Sequence, residues 1–374
     1  MSQYILMPDS FKGSVSSLEV CAAMERAIRR QDKTASIRAI PIADGGEGTA
    51  DAFLTALGGE KIKTTVSGPF LSPIEAAYGK LPDGTAVIEM AACAGLPLVG
   101  EHKLPHIATT YGVGELIAHA VSGGASRIIL GLGGSATNDG GCGMAAALGI
   151  RFCRGDEPFI PTGETLTDIT RIDSSFLLPE LKRIPILAMC DVDNPLCGKQ
   201  GAAAVFGPQK GAHPALVRKL DQGLAHLAQL IERDLGLSIA HLPGAGAAGG
   251  MGGGAAAFLH ARLESGISIL LDQIQADTLF SQADYIFTGE GRFDRQSLRG
   301  KTVIGIARKA KESHTPVIVL AGSIDSCGMD AAYDEGVTAF FPIHSEPLPD
   351  LLDSARSLSA IERTMTNVLH LLKR

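Results

Sequence analysis

Short apolar runs that end in glycine, proline or aspartate turns recur along this chain, and a helix-like stretch follows each turn. These runs are residues 4–7, 36–43, 127–130, 185–189, 284–287 and 316–320. Alternation of strands with helices predicts an α/β fold with largely parallel sheets, because parallel strands need a crossover connection. Ligands of such sheets bind beyond the carboxyl ends of the strands, so the strand-to-helix turns are the places to search for a site.

The first helix has a start signal of its own. Ser16 and Glu19 have the spacing of a capping box, and Val15 and Val20 occupy the positions of a hydrophobic staple. The sequence therefore predicts that a helix begins at this point, directly after the first strand and its turn.

The length and the change of pattern predict two domains. A chain of 374 residues exceeds the size at which a single core stops growing. Residues 64–88 contain the turn formers Gly, Pro and Thr and favour short strands, and the regular alternation returns near Asp284. We expect one domain built from residues 1–66 and 284–374, with a second α/β domain, residues 67–283, inserted into it.

Charge and composition exclude several classes of protein. The net charge of −7 and the pI near 5.8 leave no basic stripe for nucleic acid. The seven cysteines have no zinc-like spacing, and no apolar stretch is long enough to span a bilayer. We expect a cytoplasmic protein without a nucleic-acid or membrane partner, and the sequence leaves open whether it is a monomer or a homodimer.

Polar residues that could carry chemistry follow five of the predicted strands. They are Asp9, Ser10 and Lys12; Asp44 and Glu47; Ser135, Thr137, Asn138 and Asp139; Asp191, Asp193 and Asn194; and Glu290 with Asp294. A single aspartate after a strand is commonly a helix N-cap. It is their co-occurrence at the strand ends that points to a site.

The turn GLGGSATNDGGCG, residues 131–143, is made almost entirely of glycine and small polar residues. Such a turn before a helix presents backbone N–H groups to an anion. The carboxylates at the other strand ends would repel that anion unless Mg²⁺ lay between them. Together with Lys12 and Lys210, these residues favour phosphoryl transfer.

Two other functions fit parts of the pattern. Gly131-x-Gly133-x-x-Ala136 follows a strand and matches a form of the dinucleotide fingerprint, which predicts an NAD(P)-dependent dehydrogenase. Two observations argue against this function. Asp156 and Glu157 lie roughly where the acid that binds the ribose is expected, but they follow no clear second strand. Asp139 would also put negative charge near the pyrophosphate. A sugar-acid-binding sensor on a similar scaffold is the third alternative, but it has no need for repeated carboxylates.

Long blocks of the sequence resemble the bacterial type 1 glycerate kinases from end to end. The blocks are PDSFKGS (8–14), PIADGGEGT (41–49), GLGGSATNDGGCGMAAALG (131–149), CDVDNPLCGKQGAAAVFGPQKGA (190–212), PGAGAAGGMGGG (243–254) and TGEGRFDRQSLRGK (288–301). The resemblance implies phosphorylation of D-glycerate by ATP with Mg²⁺, generally to 2-phosphoglycerate. It also implies a Rossmann- or flavodoxin-like domain interrupted by a second α/β domain, with the active site in the cleft between them.

The chemistry of that reaction suggests roles for individual residues. We expect the base to be Asp191 or Asp44, and Lys12 to neutralise the γ-phosphate. Glu290 and Asp294 are candidate metal ligands, and Ser10, Lys210 and Arg292 are candidates for binding the substrate. The candidate phosphate-binding residues are Gly133, Gly134, Ser135, Thr137, Asn138, Gly249, Gly250 and Gly252.

Overall fold

The structure is a computed structural model that describes residues 1–11, 14–295, 297–299, 302–325, 329–344 and 353–372. Its strands are β1 (Gln3–Pro8), β2 (Ser36–Ala39), β3 (Glu60–Ser67), β4 (Pro73–Lys80), β5 (Thr85–Glu89), β6 (Arg127–Gly131), β7 (Arg151–Arg154), β8 (Glu157–Phe159), β9 (Arg171–Asp173), β10 (Ile186–Met189), β11 (Arg262–Glu264), β12 (Tyr285–Phe293), β13 (Val317–Ile324) and β14 (Val337–Pro342). Each apolar run identified in the sequence contains or overlaps one of these strands.

The helices follow the predicted alternation. They are α1 (Ser17–Gln31), α2 (Thr49–Leu57), α3 (Ala91–Ala94), α4 (Leu96–Val99), α5 (Tyr111–Ser122), α6 (Cys142–Ala147), α7 (Ala202–Phe206), α8 (Pro214–Leu235), α9 (Ala247–Leu259), α10 (Gly266–Gln273), α11 (Ala276–Ser281), α12 (Thr302–Glu312), α13 (Met329–Asp334) and α14 (Ser354–Leu372). The predicted capping box is present, because Ser16 caps α1 and Glu19 bonds back to the backbone of Ser16.

The chain forms two compact units. Unit 1 contains residues 1–43, 55–57 and 267–374, and unit 2 contains residues 44–54 and 58–266. The sequence predicted that the chain passes from the first domain to the second after residue 66 and returns after residue 283. The main boundaries between the two compact units follow residues 43 and 266, and residues 55–57 also belong to unit 1. The α/β fold class with parallel sheets is confirmed in both units.

Unit 1 is built on a five-stranded parallel sheet in the order β14-β13-β12-β1-β2. Numbered within this unit alone, that order is 2-1-3-4-5, the flavodoxin-like arrangement. The direction of winding reverses between β1 and β12, which is where ligands of such sheets bind. Leu6 and Phe287 lie on one face of the sheet and pack with Met24 of α1 in a buried apolar core.

Unit 2 has a six-stranded mixed sheet in the order β11-β10-β6-β5-β4-β3. The pairs β3·β4 and β4·β5 are antiparallel, which confirms the short strands expected over residues 64–88. The strands β5, β6, β10 and β11 of this sheet are parallel. Ile128, Ile129 and Leu130 of β6 are fully buried, since helices cover both faces of a parallel sheet.

A small antiparallel sheet, β8-β7-β9, completes unit 2. Within the residues that the structure describes, no helix combines the length and the apolar character needed to cross a bilayer.

Candidate active site

The glycine-rich turn after β6 packs backbone against backbone on the loop that carries Asp44. Gly133 N–H donates to Gly45 O at 2.8 Å. A Cβ at Gly131 would lie 2.4 Å from Gly45 O, and one at Gly133 would lie 2.5 Å from Gly46 Cα. Glycine is required at both positions because any side chain would force the two segments apart.

The geometry of this turn argues against the dinucleotide fingerprint. The fingerprint needs its glycine turn to lead directly into a helix whose N-terminus faces the pyrophosphate. Here β6 ends at Gly131, but α6 does not begin until Cys142. Gly131, Gly133 and Ala136 therefore match the sequence pattern of the motif but lack the strand-turn-helix geometry that gives the motif its function.

A pocket of about 220 Å³ opens beside this turn in unit 2. The predicted site residues that line it are Asp44, Gly133, Gly134, Ser135, Asp191 and Lys210. Sequence reasoning did not predict the other lining residues, which are Leu96, Leu132, Met189, Cys190, Val192, Phe206, Gln209, Ala247 and Ala248. Most of these residues are apolar and exclude water from part of the pocket. The lower local dielectric constant strengthens electrostatic interactions between the polar groups and a ligand.

Lys210 supplies the positive charge of the pocket. Its side chain is 2% exposed, and Nζ donates to Ser135 Oγ at 2.6 Å and to Thr137 O at 2.7 Å. Burial lowers the pKa of Lys210 to about 7, and the negative charge of Asp139 opposes this shift. Among the described residues no carboxylate forms an ion pair with Lys210 within 4.0 Å. A buried ammonium that has no carboxylate partner is stabilised by an anion that enters the pocket.

Asp44 and Asp191 place two exposed carboxylates at the same pocket. Asp44 Oδ1 accepts from Gly46 N–H at 3.2 Å, within its own loop. Asp191 follows β10, and its Oδ1 accepts from Gly266 N–H at 3.0 Å. Both groups can accept a proton from a ligand hydroxyl while these bonds hold them in place.

Asp139 lies inside the protein, although its position in the glycine-rich turn suggested a group that faces a ligand. It is fully buried and accepts hydrogen bonds from Thr110 N–H and Oγ1, both at 2.8 Å, from Gly141 N–H at 3.1 Å and from Gly143 N–H at 3.2 Å. Burial raises the pKa of Asp139, and these hydrogen bonds lower it. Asp139 thus caps the first turns of α5 and α6 together and fixes the far end of the glycine-rich turn.

Replacing Asp139 with alanine is expected to lower the free energy of unfolding by about 3–5 kcal/mol, because several buried donors lose their acceptor together. Urea unfolding of the whole protein measures this loss. Asp83 is the matched control, since it is exposed and accepts one bond from Thr85 N–H at 2.9 Å. A loss at Asp139→Ala no larger than that at Asp83→Ala would contradict this role.

The remaining predicted phosphate-binding residues are not among those that line the pocket. Thr137 and Asn138 are fully buried, and Thr137 Oγ1 and both polar side-chain atoms of Asn138 lack hydrogen-bond partners within the described structure. A Cβ at Gly249 would lie 2.1 Å from Thr137 O, one at Gly250 would lie 2.9 Å from Gly140 Cα, and one at Gly252 would lie 2.3 Å from Gly244 O. These glycines let α9 pack closely on its neighbours; their contact with phosphate stays a prediction.

The other predicted residues lie in unit 1, at the carboxyl ends of β1 and β12. Ser10 N–H donates to Asp9 Oδ1 at 2.6 Å. Glu290 and Arg292 were expected in a turn after residue 287, but β12 continues to Phe293 because it pairs with β13 as far as Ile324. Arg292 is exposed and lies 3.6 Å from Asp294. Lys12 lies outside the described residues.

Within the described ranges, no three His, Cys, Asp or Glu side chains cluster closely enough to hold a metal ion by themselves. The candidate ligands Glu290 and Asp294 do fit Mg²⁺ in their chemistry, because both supply carboxylate oxygen. Magnesium is usually bound by one or two carboxylates together with substrate phosphates and water, so it does not need a third protein ligand.

Comparison with known proteins identifies the family. The glycerate kinase family matches residues 4–373. The chain is 46% identical to glycerate kinase of Halalkalibacterium halodurans over 346 residues, which cover 92% of this chain and 91% of that protein. It is 44% identical to glycerate 2-kinase of Escherichia coli K12 over 343 residues, 91% of this chain and 90% of that protein.

The fold indicates the same family as the sequence. A crystal structure of glycerate kinase 2 from Salmonella typhimurium LT2 superposes with a TM-score of 0.88 and 40% identity, covering all of this chain and 98% of the other. The family, the relatives and the fold agree over nearly the whole length. This chain belongs to the glycerate kinase family and is an enzyme of the kinase class.

Proposed function

We propose that this enzyme transfers the γ-phosphoryl group of ATP to D-glycerate in a Mg²⁺-dependent reaction and that the product is 2-phosphoglycerate. The observation that supports this most directly is the buried ammonium of Lys210 in a pocket that also holds two carboxylates. The reaction brings together anions, namely the carboxylate of glycerate and the phosphates of ATP, with a hydroxyl that must lose a proton. The pocket contains groups for both needs.

Lys210 is the proposed anchor for an anionic group. Binding an anion beside Lys210 recovers electrostatic energy that burial of the unpaired ammonium has cost. It also favours the protonated lysine, whose pKa of about 7 lies near neutral pH before the anion binds. We assign the glycerate carboxylate to this position, with Ser135 Oγ beside it.

Asp191 or Asp44 is the proposed general base. Each lines the pocket and accepts a backbone hydrogen bond that helps to orient its carboxylate. The base takes the proton of the glycerate hydroxyl as that oxygen bonds to phosphorus, while the bond from the γ-phosphorus to the β-phosphate oxygen breaks. The backbone N–H groups of the turn at Gly133, Gly134 and Ser135 are the proposed donors to phosphate oxygens.

Glu290 and Asp294 remain the proposed ligands for Mg²⁺. Both lie at the carboxyl end of β12, beside the point of unit 1 where the winding of the sheet reverses. Bound there with ATP, the ion would neutralise phosphate charge. Ser10 and Arg292, at the same end of that sheet, are the proposed additional contacts to substrate, and Lys12 is the proposed cation for the γ-phosphate.

Phosphorus NMR on a mixture of the purified enzyme, ATP, Mg²⁺ and D-glycerate tests this function. In 2-phosphoglycerate the phosphate is attached through a CH group and gives a doublet in the proton-coupled spectrum. In 3-phosphoglycerate it is attached through a CH₂ group and gives a triplet. We expect the doublet; a triplet would correct the position of transfer, and no new phosphate ester would overturn the proposal.

A further inference from the structure

Glu89, at the end of β5, is a half-buried carboxylate that the reaction above does not use. Its Oε1 accepts from Ala50 N–H at 2.6 Å, and Gly48 N–H donates to the same carboxylate. Helix α2 begins at Thr49, and its N-cap residue is Gly48, which has no side chain to accept these bonds. Glu89 therefore supplies from another strand the acceptor that a serine or aspartate N-cap would provide.

The segment that Glu89 caps leads directly into the pocket. The loop of residues 44–48 begins with Asp44, which lines the pocket, and ends at the helix start that Glu89 holds. Within this loop, Gly45 and Gly48 have left-handed backbones with φ of 84° and 86°. A loop that relies on such glycines has many alternative conformations when one end is released.

The loop also transmits its position to the glycine-rich turn. Gly45 O accepts the 2.8 Å bond from Gly133 N–H, and Gly46 Cα would be 2.5 Å from a Cβ at Gly133. There is no space between the two backbones, so a displacement of one displaces the other. The start of α2, the carboxylate of Asp44 and the N–H groups of the turn form one packed assembly.

We propose that Glu89 is a positioning residue, whose carboxylate fixes the start of α2 and thereby sets the positions of Asp44 and of the turn at Gly133 for phosphoryl transfer. This inference rests on the proposed function for its effect on rate, but not for its effect on the loop. A misplacement of catalytic groups by about 1 Å can cost about 10²-fold in rate.

The charges that face Glu89 define its response to pH. Asp51 on α2 and Lys61 on β3 are its charged neighbours, and they pair with each other at 2.8 Å. Burial raises the pKa of Glu89 above its usual range, and the bonds from Ala50 and Gly48 lower it. Protonation of Glu89 on acidification weakens the cap, so the loop loosens as pH falls through the raised pKa.

Glu89→Gln tests the role, with Glu115→Gln as the matched control. Glu115 is a half-buried glutamate of the same unit whose Oε2 accepts one backbone N–H, that of Ser67, at 2.6 Å, and it does not line the pocket. For Glu89→Gln we expect kcat/KM to fall about 10- to 100-fold, with most of the loss in kcat. We expect Glu115→Gln to keep activity within about threefold of the wild type, since its bond lies away from the assembly.

The conservative variant Glu89→Asp keeps the charge and should restore part of the lost rate. The acid limb of the pH profile should move in Glu89→Gln and stay in place in Glu115→Gln. A wild-type rate and pH profile in Glu89→Gln would overturn the proposal, and so would equal losses of rate in the two Gln variants. If Glu89→Gln fails to fold, Glu89→Asp replaces it in the test. A wild-type rate and pH profile in Glu89→Asp would then overturn the proposal.

Amide hydrogen exchange separates this inference from the proposed function. We expect Glu89→Gln to speed exchange over residues 44–50 and 131–135, and Glu115→Gln to speed it only near residue 67. Unchanged exchange in Glu89→Gln would refute the positioning role even in an active enzyme. Faster exchange with no phosphorylated glycerate in any variant would leave Glu89 as the loop anchor and refute the proposed reaction instead.

Discussion

Replacing Lys210 with methionine is expected to lower kcat/KM for D-glycerate by about 10²- to 10³-fold, because removing one partner of a buried, hydrogen-bonded charge pair costs about 2–5 kcal/mol of binding energy. The same change should leave the protein at least as stable as the wild type. A buried ammonium without a carboxylate partner is costly, and an apolar side chain of similar length removes that cost. Steady-state kinetics and urea unfolding of the same preparation measure the two effects.

Lys199→Met is the control for Lys210→Met, because Lys199 is exposed and does not line the pocket. We expect it to change neither rate nor stability by a measurable amount. If Lys210→Met kept a near-normal kcat/KM for D-glycerate, an anchoring role for Lys210 would be wrong. If it unfolded, Lys210 would be a structural residue whose bonds to Ser135 and Thr137 stabilise the fold.

The pH dependence of stability gives a further check on the charge of Lys210. Its pKa is about 7 in the folded protein and near 10.5 in the unfolded chain. Between those values the unfolded state binds a proton that the folded state does not, so wild-type stability rises with pH relative to Lys210→Met. Below pH 7 both states bind the proton, and the difference between the two proteins no longer changes.

The strands and the first helix could be predicted because their signals are local. The run at residues 127–130 contains three consecutive apolar residues, Ile128, Ile129 and Leu130, and lies in β6, and Ser16 with Glu19 forms the predicted capping box. Strand β12 shows the limit of such signals. Its second half, GEGRF, contains two glycines and two charged residues, and only pairing with β13 makes it a strand.

The pocket was predictable in part for the same reason. Ser135 and Asp191 come after β6 and β10 of one sheet, and Asp44 comes after β2 of the other, so a rule about strand ends could find all three. Lys210 lies in a single turn of 3-10 helix, where nothing in the local sequence shows that it is buried. Glu89 looks like an ordinary strand residue, because its partner at Ala50 is set by the tertiary fold.

Asp139 shows how a correct motif can hide a different role. The glycine-rich turn was expected to present its polar residues to an anion, and Ser135 does line the pocket. Asp139, four residues later, turns inward and caps two helices. The spacing in the sequence cannot separate the two, because the direction of each side chain depends on glycines with left-handed backbones at 134, 140 and 141.

Asparagine substitutions at Asp191 and Asp44 are expected to identify the base. Asparagine has nearly the same shape and keeps an oxygen that can accept from Gly266 N–H or Gly46 N–H, so the fold should survive. It cannot take a proton from glycerate. We expect the substitution of the base to lower kcat about 10²- to 10⁴-fold, with a much smaller change in KM.

The two candidates separate through the pH profile as well as the rate. The variant that lacks the base should lose the contribution of that carboxylate to the acid limb and keep only that of Glu89, whereas the other variant should keep the wild-type limb with kcat within about tenfold of the wild type. Asp193→Asn is the control, since Asp193 is exposed beside Asp191 but does not line the pocket. If both variants fall equally and the double variant falls no further, the two carboxylates act as one unit. Near-normal turnover in both would mean that neither is the base, and the pocket would then bind substrate while proton transfer occurs through another group.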